Sequence, residues 1–173
     1  MTAYGARSAG LRGGVLAAML LFALPCSAGA AVAVGDTAPP LAIQSADGQW
    51  QRLQDYHGRV VYLDFWASWC APCQQALPEY ERWYRQWQSR GLTVLAVNLD
   101  SDPAAATKQL KRRPLSFPIA FDPKGVWAER YALPTMPSSY LIDRRGIVRK
   151  VHGGFRPEDL PMLEALIDKT LGE

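Results

Sequence analysis

Hydrophobic positions form three kinds of run along the chain. Arg59–Phe65 (RVVYLDF) and Leu92–Leu99 (LTVLAVNL) are continuous and rich in β-branched and aromatic residues. Runs of that length and type predict strands buried on both faces. Between them, from about Ala71 to Arg90, Leu77, Tyr80, Tyr84 and Trp87 recur at spacings of three and four. That period predicts a helix with one apolar stripe, and Gly91 stands where a C-terminal cap belongs. The third kind, Val15–Leu24, is apolar throughout but shorter than the roughly 20 residues that span a bilayer.

Weaker signals fill the rest. Residues 33–40, with Pro39-Pro40, read as an extended lead-in. Ala46-Asp47-Gly48, between Leu41–Ile43 and Gln49–Leu53, predicts a hairpin. Asp102 caps a helix that opens with Pro103 and runs to about Arg113. Pro118–Phe121 reads as a short strand and Lys124–Tyr131 as a short helix. Ser138–Ile142 and Ile147–His152 read as strands joined by the turn Asp143–Gly146, and Pro157–Leu171 closes with a helix. After the hairpin the order is βαβα, then a two-strand meander and a helix, without internal repeat or long linker. This predicts one α/β domain with a central mixed β-sheet flanked by helices.

The N-terminal run belongs to a different category. Arg7 and Arg12 are the only charged side chains before Asp36, and small residues ending in Ala28-Gly29-Ala30 follow the apolar core. Basic, apolar, then small is the pattern of a secretory signal peptide. Residues 1–30 are expected to be that peptide and 31–173 the folded domain. The location is then periplasmic or otherwise extracytoplasmic, in an oxidising compartment. An uncleaved segment would instead anchor the chain to the membrane. A lipid on Cys26 is a third reading, which Pro25 directly before it disfavours.

Composition narrows the function. The chain has 173 residues, 49% hydrophobic and 20% charged, which excludes a disordered or fibrous protein. A net charge of +3 gives no electrostatic case for nucleic acid. Lys111-Arg112-Arg113 suits a solvated helix C-terminus better than a binding patch. Of the three cysteines, Cys26 leaves with the signal peptide, and Cys70 and Cys73 remain. A domain of this size folds without a disulfide staple, so the pair is free for chemistry.

That chemistry sits in Trp69-Cys70-Ala71-Pro72-Cys73, between a predicted strand and a predicted helix. A thiol at a helix N-terminus faces unpaired backbone N–H groups and the positive end of the dipole, which favour the thiolate. Thiolate is the species that attacks disulfides. Cys70 is therefore the attacking sulfur. Cys73, three residues on, resolves the mixed disulfide. Zinc would need four ligands, and His57 and His152 are the only histidines available, so no metal is expected. Covalent haem needs His after the second Cys, where Gln74 stands. A purely structural bridge over four residues removes little chain entropy.

The residues Gly58–Cys73 (GRVVYLDFWASWCAPC) and Met136–Asp143 (MPSSYLID) resemble the thioredoxin-fold family. The chain is similar in particular to its secreted TlpA/ResA-type thiol–disulfide oxidoreductases, over about residues 35–172. The resemblance implies a thioredoxin-like fold with an N-terminal β-hairpin extension. It implies a cis bond before Pro137, which turns the Met136 backbone toward the sulfurs to pair with an extended substrate. A turn proline at a strand start is the plainer alternative. It implies a docking surface of Trp69, Ala71, Pro72 and Met136, with Trp66 packed beneath, and a helix kink at Pro78. It also implies that Asp64, inside an apolar strand, exchanges protons with Cys73; a satisfied structural carboxylate is the alternative.

Two departures from the family pattern bear on Asp64. Ala96 stands where thioredoxin has a lysine partner, and Ala76 where ResA-like members have a glutamate. Without a cation, burial should raise the pKa of Asp64.

The uncharged Ala71-Pro72 dipeptide predicts a modestly stabilised Cys70 thiolate and a reductase, not a strong oxidant. No cofactor is expected. The partners implied are protein disulfide or thiol substrates, such as apocytochrome c, and a membrane thiol-reductase electron donor, with the protein itself a monomer. A thiol peroxidase of the redoxin group and a non-catalytic thioredoxin-like binding module are the competing functions.

Overall fold

A computed structural model describes residues 1–2, 31–45 and 47–173. Residues 3–30 of the expected signal peptide, Cys26 among them, lie outside the described residues. Among the described residues, no helix is long and apolar enough to cross a membrane.

The strands are β1 (Ala42–Ser45), β2 (Trp50–Arg52), β3 (Val60–Trp66), β4 (Leu92–Asn98), β5 (Ile119–Phe121), β6 (Ser138–Ile142) and β7 (Val148–Gly153). The helices are α1 (Ala71–Trp87), α2 (Pro103–Arg112), α3 (Val126–Tyr131) and α4 (Leu160–Leu171). The strands form one sheet in the order β2-β1-β5-β4-β3-β6-β7. Pairing is parallel from β3 through β4 to β5 and antiparallel elsewhere. The sheet is mixed, as predicted, and the N-terminal hairpin extends its β5 edge.

The two continuous apolar runs occupy the centre. Every residue of β3 and β4 is buried. Alternate side chains supply opposite faces. Val60, Tyr62 and Trp66 pack with α1 and α4, whereas Val61, Leu63 and Phe65 pack with Leu41, Ile43 and Tyr131. Asp64 breaks this pattern, since it points with Tyr62 and Trp66 and is 0% exposed.

Helix boundaries follow local chemistry. Asp102 Oδ1 accepts from the Ala104 N–H at 2.9 Å and caps α2. α1 ends at Trp87 in a 3-10 turn, Gln88–Arg90, and Gly91 adopts φ 103°, the left-handed cap expected there. The α1 stripe is corrected at one position. Trp83 is fully buried, while Tyr84 is half-buried at the rim with its ring 6.0 Å from Phe117. The i+3 position from Tyr80 faces the centre of the sheet and α4; the i+4 position faces the edge. Trp83 Nε1 donates to Glu164 Oε1 of α4 at 3.0 Å.

Candidate active site

The loop Ala67–Trp69 leaves the C-terminal end of β3 and enters α1 at Cys70. Its shape is fixed by polar side chains. The buried Asp100 carboxylate accepts from the Ser68 N–H at 3.0 and 3.2 Å and from Asn98 Nδ2 at 3.2 Å. Gln74 Nε2 donates to Ser68 O at 3.0 Å and to Gln109 Oε1 of α2 at 2.8 Å. These contacts tie the loop before the sulfurs to β4 and α2.

Cys70 is the N-cap of α1, and its Sγ accepts from the Cys73 N–H at 3.3 Å. Pro72 lies in the first turn, where its missing N–H leaves no helical bond unmade. Cys70 and Cys73 are disulfide-bonded, S–S 2.06 Å, with Cα atoms 5.3 Å apart. Cys70 is 5% exposed and Cys73 0%, so attack from outside reaches Cys70. Trp69 is 70% exposed and Ala71 and Pro72 are exposed beside it. Trp66 is fully buried beneath. α1 continues through Pro78.

The peptide bond Met136–Pro137 is cis, and Ser138, the next residue, pairs with Phe65 at the end of β3. This register holds the cis bond at the end of the sheet from which the active-site loop departs. Met136 is half-buried and packs on the cluster that includes Cys70 and Cys73. Ser138 Oγ donates to Thr135 O at 2.6 Å, and the Gly154 N–H donates to Pro137 O at 2.8 Å, which pins both sides of the turn.

Asp64 stands between Ala96 of β4 and Ser139 of β6 in the sheet register. Ser139 Oγ donates to Asp64 Oδ1 at 2.7 Å, and the Tyr80 hydroxyl lies 3.3 Å from Ser139 Oγ. Asp64 Oδ2 is buried without a partner. Among the described residues Asp64 forms no ion pair. Burial pushes the Asp64 pKa up to about 8, against the opposing hydrogen bond from Ser139. Burial also raises the Tyr62 and Tyr80 hydroxyls well above their ordinary range.

Sequence reasoning places Cys70, Cys73, Trp69, Ala71, Pro72, Met136 and Pro137 at one end of the sheet, where the structure has them. It missed Ser139, Tyr80, Asp100 and the Gln74–Gln109 pair. Ser139 had a usable signal, since it is a hydroxyl two residues after the cis proline in the strand paired with β3. No cluster of three or more His, Cys, Asp or Glu able to hold a metal occurs among the described residues.

Comparison with known proteins gives the site its family. Residues 34–151 match the AhpC/TSA family. The thiol-disulfide oxidoreductase ResA of Geobacillus thermodenitrificans is 37% identical over 124 residues, 72% of this chain and 71% of that protein. A crystal structure from Chlorobium tepidum, described provisionally as a thiol:disulfide interchange protein DsbE, is 44% identical. It superposes with a TM-score of 0.79 over 82% of this chain and 99% of that one. The exposed lipoprotein thioredoxin of Streptococcus pneumoniae is 30% identical, with a TM-score of 0.64 over 75% of this chain and 98% of that one. The fold is thioredoxin-like, and the chain belongs to the AhpC/TSA family, among its ResA-type thiol–disulfide oxidoreductases.

Proposed function

We propose that the protein is an extracytoplasmic protein-disulfide reductase that works through Cys70 and Cys73. The observation that carries this reading is the Cys70–Cys73 disulfide capping α1 at the end of the sheet that also holds the cis Met136–Pro137 bond.

In the reduced protein the Cys70 thiolate attacks one sulfur of a substrate disulfide. A Cys70–substrate bond forms, and the other substrate sulfur leaves as thiolate. Asp64, as carboxylate, takes the proton from the Cys73 thiol. The Cys73 thiolate then attacks Cys70, closes the 70–73 disulfide and expels the second substrate sulfur. Two electrons have passed to the substrate, whose thiolates take protons from water. Trp69, Ala71 and Pro72 are the docking surface, and the Met136 backbone pairs with an extended substrate segment.

A reductase in an oxidising compartment must be re-reduced. The partner proposed is a membrane thiol-reductase that exchanges with the 70–73 disulfide. Extracytoplasmic protein disulfides, apocytochrome c among them, are the substrate class. Residues 1–30 are the secretory signal, removed after Ala30, and the mature chain is a monomer.

Equilibration with glutathione tests the direction. With no charge or His at Ala71-Pro72, the potential should be on the order of −250 mV, near that of thioredoxin. A value near about −120 mV, typical of a strong oxidant, would overturn the reductase assignment.

A further inference from the structure

Asp64 is fully buried, so a proton it takes from Cys73 needs a way out. We propose that His152 is the outlet through which that proton reaches solvent; the proposal rests on the reading of Asp64 as the base for Cys73.

The sheet register lines up the groups. Ser139 is directly opposite Asp64 in the β3–β6 pair and directly opposite His152 in the β6–β7 pair. Directly paired residues present their side chains on the same face, so Asp64, Ser139 and His152 form a row across three strands. On the other side of Asp64 the row meets Ala96, which carries no proton.

His152 is 7% exposed, and its Nδ1 is buried without a partner. Its Nε2 lies 3.1 Å from Asp159 Oδ2. With Nε2 donating to that carboxylate, Nδ1 is a lone-pair acceptor inside the protein, next to the Ser139 strand position. Asp159 is 22% exposed in its side chain and also accepts from Arg156 Nε at 3.0 Å. Its hydrogen bonds from His152 and Arg156 hold it below the ordinary carboxylate range, so it is charged at neutral pH and accepts from the His152 Nε2–H. Along this face the other titratable groups are Tyr62, Tyr80 and the half-buried Lys150. Burial keeps both tyrosines neutral. Lys150, two residues before His152 on β7, is a donor with no vacant lone pair when charged.

The transfer balances. Protonated Asp64 gives its proton to Ser139 Oγ as the Ser139 hydroxyl hydrogen passes to His152 Nδ1. Ser139 and His152 are not directly hydrogen-bonded; rotation of the hydroxyl or one bridging water spans adjacent strands. The imidazolium then releases its Nε2 proton at the Asp159 edge to water. One proton moves from Asp64 to solvent and no electrons move. Ser139 ends as it began, and His152 is left with its hydrogen on Nδ1 until re-reduction. A proton from water then enters at Nε2, the Nδ1 hydrogen passes back through Ser139 and Asp64 to the Cys73 thiolate, and the first tautomer is restored.

The full-length reduced protein, mixed with the aryl disulfide dithiobis(nitrobenzoate), separates the two sulfur steps. Attack by Cys70 releases the first thionitrobenzoate, and attack by Cys73 releases the second. His152→Gln keeps an amide donor toward Asp159 but cannot carry the proton. It should slow the second phase about tenfold, short of the hundredfold or more typical of direct proton transfer, and leave the first unchanged. His152→Ala should show the same split, with the second phase restored by imidazole buffer. Asp64→Asn should slow the second phase in every background. If Asp64→Asn slows it while both His152 variants match wild type, the outlet is refuted and the base stands. If Asp64→Asn has no effect, the base itself is refuted. Slowing of both phases alike, or no rescue by imidazole, assigns His152 a packing role and overturns the proposal.

Discussion

Ser139 Oγ donates a 2.7 Å hydrogen bond to Asp64 Oδ1, and Asp64 Oδ2 has no partner at all. One oxygen is held and the other is free, inside a cluster built from Tyr62, Trp66, Tyr80 and Cys73. An ionised carboxylate is expensive there, because a single hydroxyl offsets only part of the lost hydration. The same cost raises the Asp64 pKa, which is what the base proposed for the Cys73 proton requires.

Stability should therefore depend on pH in an unusual direction. Asp64 has a folded pKa of about 8 and an unfolded one near the ordinary value of about 3.9. Between these values the native state holds a proton that the unfolded state lacks, so unfolding free energy falls as pH rises from about 4 to about 8. Urea unfolding of the oxidised protein across that window should show the decline. In Asp64→Asn, which has no charge to desolvate, the decline from this group should vanish.

Removing the one hydrogen bond should move Asp64 further. Ser139→Ala deletes the interaction that lowers its pKa, so carboxyl titration followed by infrared or carbon NMR should shift upward. Tyr80→Phe should shift it upward too, but less, because Tyr80 lowers the Asp64 pKa less than Ser139 does. A downward shift in Ser139→Ala would contradict the geometry.

Trp83 is the largest test of the core between α1 and the sheet. It is fully buried, with its ring 5.3 Å from both Tyr62 and Tyr80. Trp83→Ala should cost about 3–5 kcal/mol by denaturant unfolding. Tyr84→Ala, at the rim, should cost much less.

The contrast between these two aromatics shows where the sequence was readable. Continuous runs such as RVVYLDF and LTVLAVNL announce buried strands, because nothing but a covered sheet can hide both faces. Cys70, Pro72 and Asp102 were legible because helix N-termini demand particular local chemistry. Trp83 against Tyr84 was not, since both lie on the apolar side of a 3.6-residue period and only the position of α4 separates them. Ser139 and His152 were hidden for a related reason. Their meaning comes from cross-strand register, which one strand's sequence does not contain.

Trapping should separate the roles of the two sulfurs. Cys73→Ser leaves Cys70 without its resolving partner, so mixed disulfides with protein substrates should accumulate on Cys70 and disappear on adding reductant. Cys70→Ser should accumulate none, because Cys73 is fully buried.

In the proposed mechanism Cys70 is the nucleophile of a protein-disulfide reductase. Insulin reduction driven by dithiothreitol tests it most directly. Wild-type protein should accelerate the reaction, and Cys70→Ser should fall to the uncatalysed rate. A Cys70→Ser variant as active as wild type would contradict the account.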